Sequence, residues 1–311
     1  MSEKKKIKSV NTVQIVGTLV ETGNLVFDES AVNKNNKDIK GAINRADFHK
    51  PSFVIESNGH KIGVNTMPTY QKKEKDGEII DNPQFKALEK NMGYEVGTRV
   101  IVKGSISVGN PYMGKNGVVE PVSIQMFSMS SSSVPEEDMS EGRVSGYIKS
   151  IKDEEINEES TGRLVVNFWM YDSYNDAVVP FPLVVDSDIA EDFEDNFENG
   201  DTAIIDFDVL TRKVGGKSES KGFGNRKSKI TNGFSVTEYS VFNGEVVDEE
   251  SDCYIDSDVF KKYFKAHEQK CEEARNASNK SEDKPRRGLG ESARKSHIED
   301  TDDDDEYPFD N

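Results

Sequence analysis

The sequence predicts a mainly β protein of two tandem five-stranded barrels, followed by a C-terminal amphipathic helix and a disordered acidic tail. Three observations support this fold class: alternating strands recur twice in the same order, an apolar helical pattern follows at 257–276, and the C-terminus has almost no apolar residues. The 311 residues are 34% hydrophobic and 32% charged, which suits two domains with additional solvated segments.

The first copy of the repeat contains a strand, a hairpin, a short helix and a long strand. Residues 12–21 alternate as a strand, and 51–66 form a predicted hairpin around an Asn-Gly turn. Residues 82–92 follow a short helical pattern, and a Gly-Thr turn then leads into a strand within 94–108.

The second copy repeats this order. Strands are predicted at 142–151, 162–172 and 177–186, a helix at 187–197, and a glycine turn followed by a long strand at 198–210. When Gly97 is aligned with Gly200, the core-facing positions of the two long strands coincide, namely Val100, Val102, Gly104 and Ile106 with Ala203, Ile205, Phe207 and Val209.

A barrel of five strands with a helix between its third and fourth strands has the order of an OB-fold, and another small barrel or sandwich is the alternative. The predicted organisation is an N-terminal OB-fold at 1–127, a linker at 128–141, a second OB-fold at 142–252, a helix at 253–276, a flexible linker at 277–298 and an acidic tip at 299–311. The helix is expected to pack its apolar stripe on the second barrel, or to contact a second copy of the chain.

The charges are unevenly distributed along the chain. The formal net charge is −18, but the segments carry +4 at 1–130, −17 at 131–252, +3 at 253–298 and −8 at 299–311. Because phosphate binding depends on Lys and Arg, the mildly basic N-terminal part is the better candidate for a nucleic-acid surface.

Several classes of protein and site are not expected. No apolar run is long enough to span a membrane, and the basic N-terminus lacks the apolar stretch of a secretory signal, which predicts a cytoplasmic protein. Cys253 and Cys271 form no CxxC pair, and the four histidines show no metal-ligand spacing, so no metal or other cofactor is expected. We find no nucleophile motif or placed carboxylate pair, so the chain is not expected to be an enzyme.

Candidate nucleic-acid contacts in the N-terminal barrel combine cations with aromatic residues near strand ends and loops. OB-folds bind single strands by stacking bases on exposed aromatic side chains within a basic groove. The candidates are Lys50, Phe53, His60, Lys61, Tyr70, Lys72, Lys73, Lys75, Arg99, Lys103, Tyr112 and Lys115.

The second copy adds an aromatic wall and a basic loop. Alternation at 164–171 places Leu164, Val166, Phe168 and Met170 in the core, and Trp169 and Tyr171 on the outer wall, exposed for stacking or covered by the C-terminal helix or a partner. The Gly-rich loop at 211–229 is a candidate clamp for a phosphate backbone, or a solvated loop, with Arg212, Lys213, Lys217, Lys221, Phe223, Arg226, Lys227 and Lys229. We expect the first barrel and this loop to dominate binding.

The last residues join an acidic run to a short aromatic hook, Asp302-Asp303-Asp304-Asp305-Glu306-Tyr307-Pro308-Phe309. This segment resembles the C-terminal tip of bacterial and phage single-stranded DNA-binding proteins, in which a DNA-binding OB-fold is followed by a flexible linker and an acidic tip. In this chain Asp310-Asn311 follow the Phe, and the resemblance fits a divergent, phage-encoded member with two barrels.

The resemblance implies a protein that binds and protects single-stranded DNA without sequence specificity during replication, recombination or repair. It also implies that Asp302, Asp303, Asp304, Asp305, Tyr307, Pro308 and Phe309 recruit a helicase, primase, polymerase or recombinase in the cytoplasm of a bacterial cell or infected host. Two alternatives remain: an acidic DNA mimic or scaffold that binds basic proteins, and a recombination mediator or helicase loader.

Overall fold

The described part of the chain is built mainly of β-strands. The computed structural model describes residues 7–37, 39–74, 76–115, 117–156, 158–214 and 234–282. Its strands are β1 (Asn11–Glu21), β2 (Leu25–Val32), β3 (Lys40–Arg45), β4 (Phe53–Ser57), β5 (His60–Asn65), β6 (Thr69–Tyr70), β7 (Lys72–Lys73), β8 (Ile79–Ile80), β9 (Arg99–Val108), β10 (Tyr112–Gly114), β11 (Gly117–Val119), β12 (Val122–Ser130), β13 (Met139–Ile156), β14 (Glu159–Asp172), β15 (Ala177–Val185), β16 (Thr202–Val214) and β17 (Phe234–Val246). Its helices are α1 (Pro83–Met92), α2 (Ala190–Asn196) and α3 (Ser257–Glu282). The predicted fold class, mainly β, is confirmed.

Five N-terminal strands form a closed barrel, called here the N-terminal barrel. β1 pairs antiparallel with both β4 and β9, β4 pairs with β5, and β12 closes the circuit by pairing parallel to β5 and antiparallel to β9. The β4–β5 hairpin turns at Asn58 and Gly59, which both adopt positive φ, as the Asn-Gly pair predicts. Buried residues such as Ile15, Ile55 and Val102 fill the barrel.

Helix α1 connects the third and fourth strands of this barrel. Asn82 caps it by accepting a 2.9 Å hydrogen bond from the backbone N–H of Phe85, and Pro83 occupies its first turn. Phe85 and Leu88 bury the apolar face of the helix in the core. Short additional strands decorate the barrel: β2, β3 and β6 form one small sheet, β7 pairs with β8, and β10 pairs with β11 between the last two barrel strands.

Five C-terminal strands, called here the C-terminal strand set, pair in the same cyclic order. β13 pairs with β14 and β16, β14 with β15, β16 with β17, and β15 runs parallel to β17. Gly97 and Gly200, which begin the equivalent long strands β9 and β16, both have positive φ. The aligned non-glycine core positions of these strands are buried, as are Leu164, Val166, Phe168 and Met170 of β14, in agreement with the sequence patterns.

The two sets of strands are joined by backbone pairing. β1 runs antiparallel to β13 from Asn11 opposite Val144 to Val16 opposite Met139, so both sets belong to one ten-stranded sheet. β12 extends to Ser130, which leaves 131–138 between it and β13. Arg99 holds this connection, because its guanidinium lies 2.7 Å from the Asp138 carboxylate and also donates to two backbone carbonyls there.

Helix α3 packs against the outside of the C-terminal strand set. It begins where the Asp256 carboxylate accepts a 2.8 Å hydrogen bond from the backbone N–H of Asp258. Phe260 stacks on Tyr147 of β13 with ring centroids 4.0 Å apart, so the predicted packing of the helix on the second copy is observed. No helix in the described ranges is long and apolar enough to cross a membrane.

Candidate functional site

A group of cations surrounds an exposed phenylalanine between β3 and β4. This group, called here the Phe48 cluster, consists of Arg45, Phe48, His49 and Lys50. The Phe48 side chain is 62% exposed, and the guanidinium carbon of Arg45 lies 5.2 Å from the centroid of its ring. An apolar ring that is exposed beside cations offers a stacking surface and charge at one place.

The loop that carries the Phe48 cluster is held by one asparagine. The Asn24 side-chain amide donates hydrogen bonds of 2.8–2.9 Å to the backbone carbonyls of Asp47, Lys50 and Pro51, and its oxygen accepts from the N–H of Asp47. Because all these partners are backbone groups, Asn24 fixes the path of the loop and leaves its side chains available. The cluster is therefore preorganised before any ligand arrives.

The Phe48 cluster forms one wall of a groove of about 240 Å³. The floor consists of β5 and the start of β12, and Arg45 reaches this floor by donating a 3.0 Å hydrogen bond to the side-chain oxygen of Asn65. Gly63 permits the close approach of Pro51, since a β-carbon at Gly63 would lie 3.0 Å from it. The groove thus lies over the third and fifth strands of the barrel, β5 and β12, which run parallel to each other.

The opposite wall of the groove comes from the C-terminal strand set, through Thr237 and Tyr239 of β17. The β16–β17 hairpin is fixed there by Thr211, whose backbone N–H donates a 3.1 Å hydrogen bond to Nδ1 of His60 and whose hydroxyl donates to the carbonyl of Lys61. The last described pair of the hairpin, Val214 opposite Phe234, lies three residues beyond Thr211. The basic segment 215–233, which joins Val214 to Phe234, lies outside the described residues.

The N-terminal candidates differ in their exposure and in the contacts that they make within the protein. Lys50 and Lys61 are exposed at or beside the groove, Lys103 is exposed on β9, and Tyr112 and Lys115 are exposed on the β10–β11 hairpin. Three candidates are engaged elsewhere: His60 binds Thr211, Arg99 binds the 131–138 connection, and Lys72 pairs with Glu74 at 3.0 Å. Tyr70 and Lys73 are half-buried in β6 and β7, and Lys75 lies outside the described residues.

Phe53 corrects one prediction. Only 1% of its surface is exposed, and it belongs to the barrel core, so it cannot stack on a base in this conformation. The physical reason is that Phe53, Val54 and Ile55 are all buried, so the usual alternation between an inner and an outer face fails at the start of β4. The exposed phenylalanine is Phe48, five residues earlier.

Trp169 and Tyr171 correct a second prediction, because neither is exposed on the outer wall of β14. Trp169 is 6% exposed beneath α3, with its ring 4.9 Å from the rings of both Phe264 and His267. Tyr171 donates a 2.6 Å hydrogen bond to Asp176, which also accepts from Tyr263 of α3. Burial and this hydrogen bond raise the pKa of Tyr171, so it remains a neutral donor. The alternative that the helix covers this wall is the observed arrangement.

Arg212 is also engaged within the protein. Its guanidinium lies 3.2 Å from Glu154 and 3.3 Å from Glu238, and both carboxylates also hold Arg163. Although burial raises the pKa of Glu154, the Thr161 hydrogen bond and the Arg163 charge more than offset that effect, and the pKa is lowered. Arg212 is thus neutralised by ionised partners, contrary to its predicted role as a free phosphate contact.

The remaining predicted contacts fall where the structure describes no side chain. These are Lys213, Lys217, Lys221, Phe223, Arg226, Lys227 and Lys229 of the loop, and Asp302, Asp303, Asp304, Asp305, Tyr307, Pro308 and Phe309 of the tip. In contrast, sequence analysis missed Arg45, Phe48 and His49, which the structure brings together with Lys50. The available signal was a dense group of cationic and aromatic residues in a segment with no strand or helix period.

A larger cavity of about 690 Å³ lies beside the N-terminal half of α3. Its charged lining consists of Asp176, Glu249, Asp252, Asp256 and Lys262, which leaves it strongly acidic. Such a lining repels a phosphate backbone. The smaller groove beside the Phe48 cluster is the better candidate for a nucleic-acid site despite its size.

Comparisons with known proteins identify a family but supply no activity. The model of the family described as YorF matches residues 9–277, whereas no curated protein matches the chain. Similar solved structures are the wild-type single-stranded DNA binding protein from Thermus aquaticus, at 10% identity over 78% of this chain and 96% of that one, and its deletion mutant delta 228-252 R190A, at 9% over 78% and 97%. Both have a TM-score of 0.45.

Proposed function

The chain belongs to the YorF family, and we propose that it binds single-stranded DNA without sequence specificity through its N-terminal barrel. The observation that supports this proposal is the Phe48 cluster, an exposed ring with three neighbouring cationic or titratable side chains on a preorganised loop. Every base has a face that can stack on such a ring, at about 1–3 kcal/mol per base, and this contact does not depend on sequence.

Tandem OB-folds are part of the proposal. The cyclic strand order, with one strand pair parallel and a helix before the fourth strand, occurs in both the N-terminal barrel and the C-terminal strand set. In the first of these the groove over the third and fifth strands is open, which supports binding there.

The basic segment 215–233 completes the proposed interface. It carries one acidic residue, Glu219, and five basic residues, namely Lys217, Lys221, Arg226, Lys227 and Lys229, and it joins the two strands of the β16–β17 hairpin. In this proposal its cations bind the phosphate backbone while Phe48 stacks on a base. The binding site would then use residues from both halves of the chain, although the overall charge is negative.

The decisive experiment titrates labelled oligo-dT with the full chain and with Phe48→Ala. We expect Phe48→Ala to weaken binding about 5-fold to 150-fold, because one base loses its stacking partner. The matched control is Tyr174→Ala, which removes a 93% exposed aromatic residue outside the groove. Equal affinities of Phe48→Ala and Tyr174→Ala would refute the proposal, and tighter binding of duplex DNA or RNA would redirect it to those ligands.

We further propose that the acidic tip recruits replication or repair proteins. The segment from Asp302 to Phe309 supports this role. Its acidic run followed by Tyr, Pro and Phe resembles the tip of single-stranded DNA-binding proteins. A chain that ends at His297 removes the tip and keeps all the described strands and helices. This truncation should lose binding to a replicative helicase, primase or polymerase and retain oligo-dT binding; retained protein binding would contradict the assignment. No catalytic activity is proposed, and the expected location is the cytoplasm.

A further inference from the structure

Three potential metal ligands meet where α3 crosses the β10–β11 hairpin. His267 and Cys271 lie one turn apart on α3, and Glu120 immediately follows β11. Nε2 of His267 is 3.2 Å from a carboxylate oxygen of Glu120 and 3.4 Å from Sγ of Cys271, and the three ligand atoms all lie within 4.8 Å of one another.

Hydrogen bonds alone do not account well for the two close contacts of Nε2 of His267. Nε2 of a histidine either carries one proton or offers one lone pair. It can therefore donate to Glu120 or accept from the thiol of Cys271, but one proton cannot serve both contacts. His267 is buried, and in either state one of the two close contacts of its Nε2 atom has no proton between the two atoms. A cation bound among the three atoms would satisfy all of them at once.

We propose that Glu120, His267 and Cys271 bind one Zn²⁺ ion. Tetrahedral Zn²⁺ with bonds of about 2.0–2.3 Å separates its ligand atoms by about 3.3–3.7 Å, close to the two separations seen around Nε2. Thiolate and imidazole ligands favour Zn²⁺ over Ca²⁺ or Mg²⁺, which prefer oxygen. Water takes the fourth position.

The ion would connect the two halves of the molecule. Glu120 belongs to the N-terminal barrel, whereas His267 and Cys271 belong to the helix that covers the C-terminal strand set. The ring of His267 also lies 4.9 Å from that of Trp169. Zinc at this site would hold α3 over the covered wall, and Trp169 fluorescence would report its binding.

The test uses the reduced, metal-free, untagged full chain and a titration with Co²⁺ followed by Zn²⁺. We expect one Co²⁺ per chain with a thiolate charge-transfer band in the near ultraviolet, loss of that band when Zn²⁺ replaces Co²⁺, and a change in Trp169 emission. Cys271→Ser should abolish the band, and Glu120→Gln and His267→Gln should each weaken Co²⁺ binding about tenfold or more.

Cys253→Ser is the matched control, because Cys253 is the other half-buried free cysteine and is not part of the cluster. It should keep the band and the stoichiometry of the unchanged chain. Circular dichroism of each metal-free variant checks that the fold persists, and the three ligand variants test the site independently. A band that survives Cys271→Ser, or no Co²⁺ band in the unchanged chain, would overturn the proposal.

Discussion

The N-terminal barrel has an open groove over β5 and β12, whereas helix α3 covers the outer face of β14 in the C-terminal strand set. In the first, β5 forms the floor of a groove beside the exposed Phe48. In the second, the outer face of β14 carries Trp169 beneath the rings of α3. Two similar strand orders can thus present an open groove or a packing surface, depending on what the following chain places on them.

The comparison predicts that removing an aromatic side chain lowers the free energy of unfolding much more at the covered wall than at the open groove. Trp169→Ala should lower the free energy of unfolding by about 3–5 kcal/mol, because it leaves a cavity beneath α3. Phe48→Ala should change that free energy by less than about 0.5 kcal/mol, because its ring is already exposed. Urea denaturation of the unchanged chain, Trp169→Ala and Phe48→Ala measures both differences. Similar losses would show that the two walls do not differ as described.

A smaller effect compares one arginine from each half. Arg45→Ala should reduce the salt dependence of oligo-dT binding by about 0.7 in the slope of log K against log salt, the value for one phosphate contact on a single strand. Arg212→Ala should leave the slope unchanged, because Glu154 and Glu238 already neutralise Arg212. A reduced slope in Arg212→Ala would place DNA on the C-terminal strand set as well.

Much of the strand arrangement could be predicted from local pattern. The alternation in β14 correctly assigned Leu164 and Phe168 to the core, and the Asn-Gly pair correctly located the β4–β5 turn. These features depend on the pleat of one strand and on the conformations that two residues adopt, so the sequence carries them directly.

The candidate site was harder to predict because it depends on partners distant in sequence. Alternation showed that Trp169 points outward, but it could not show that α3, about ninety residues later, would cover it. The pairing of Arg212 with Glu154 and the loop fixed by Asn24 are likewise tertiary contacts. Phe48 lies in an irregular segment, where periodicity offers no guide.

The pairing of β1 with β13 has a mechanical consequence. Two domains joined only by a flexible segment would reorient independently, whereas the N-terminal barrel and the C-terminal strand set share a row of antiparallel residue pairs from Asn11 opposite Val144 to Val16 opposite Met139. Tension that DNA applied to one half would load that row of backbone hydrogen bonds in shear. The two halves would therefore keep a fixed relative orientation. A DNA strand bound to both of them would have to bend to the shape of the protein.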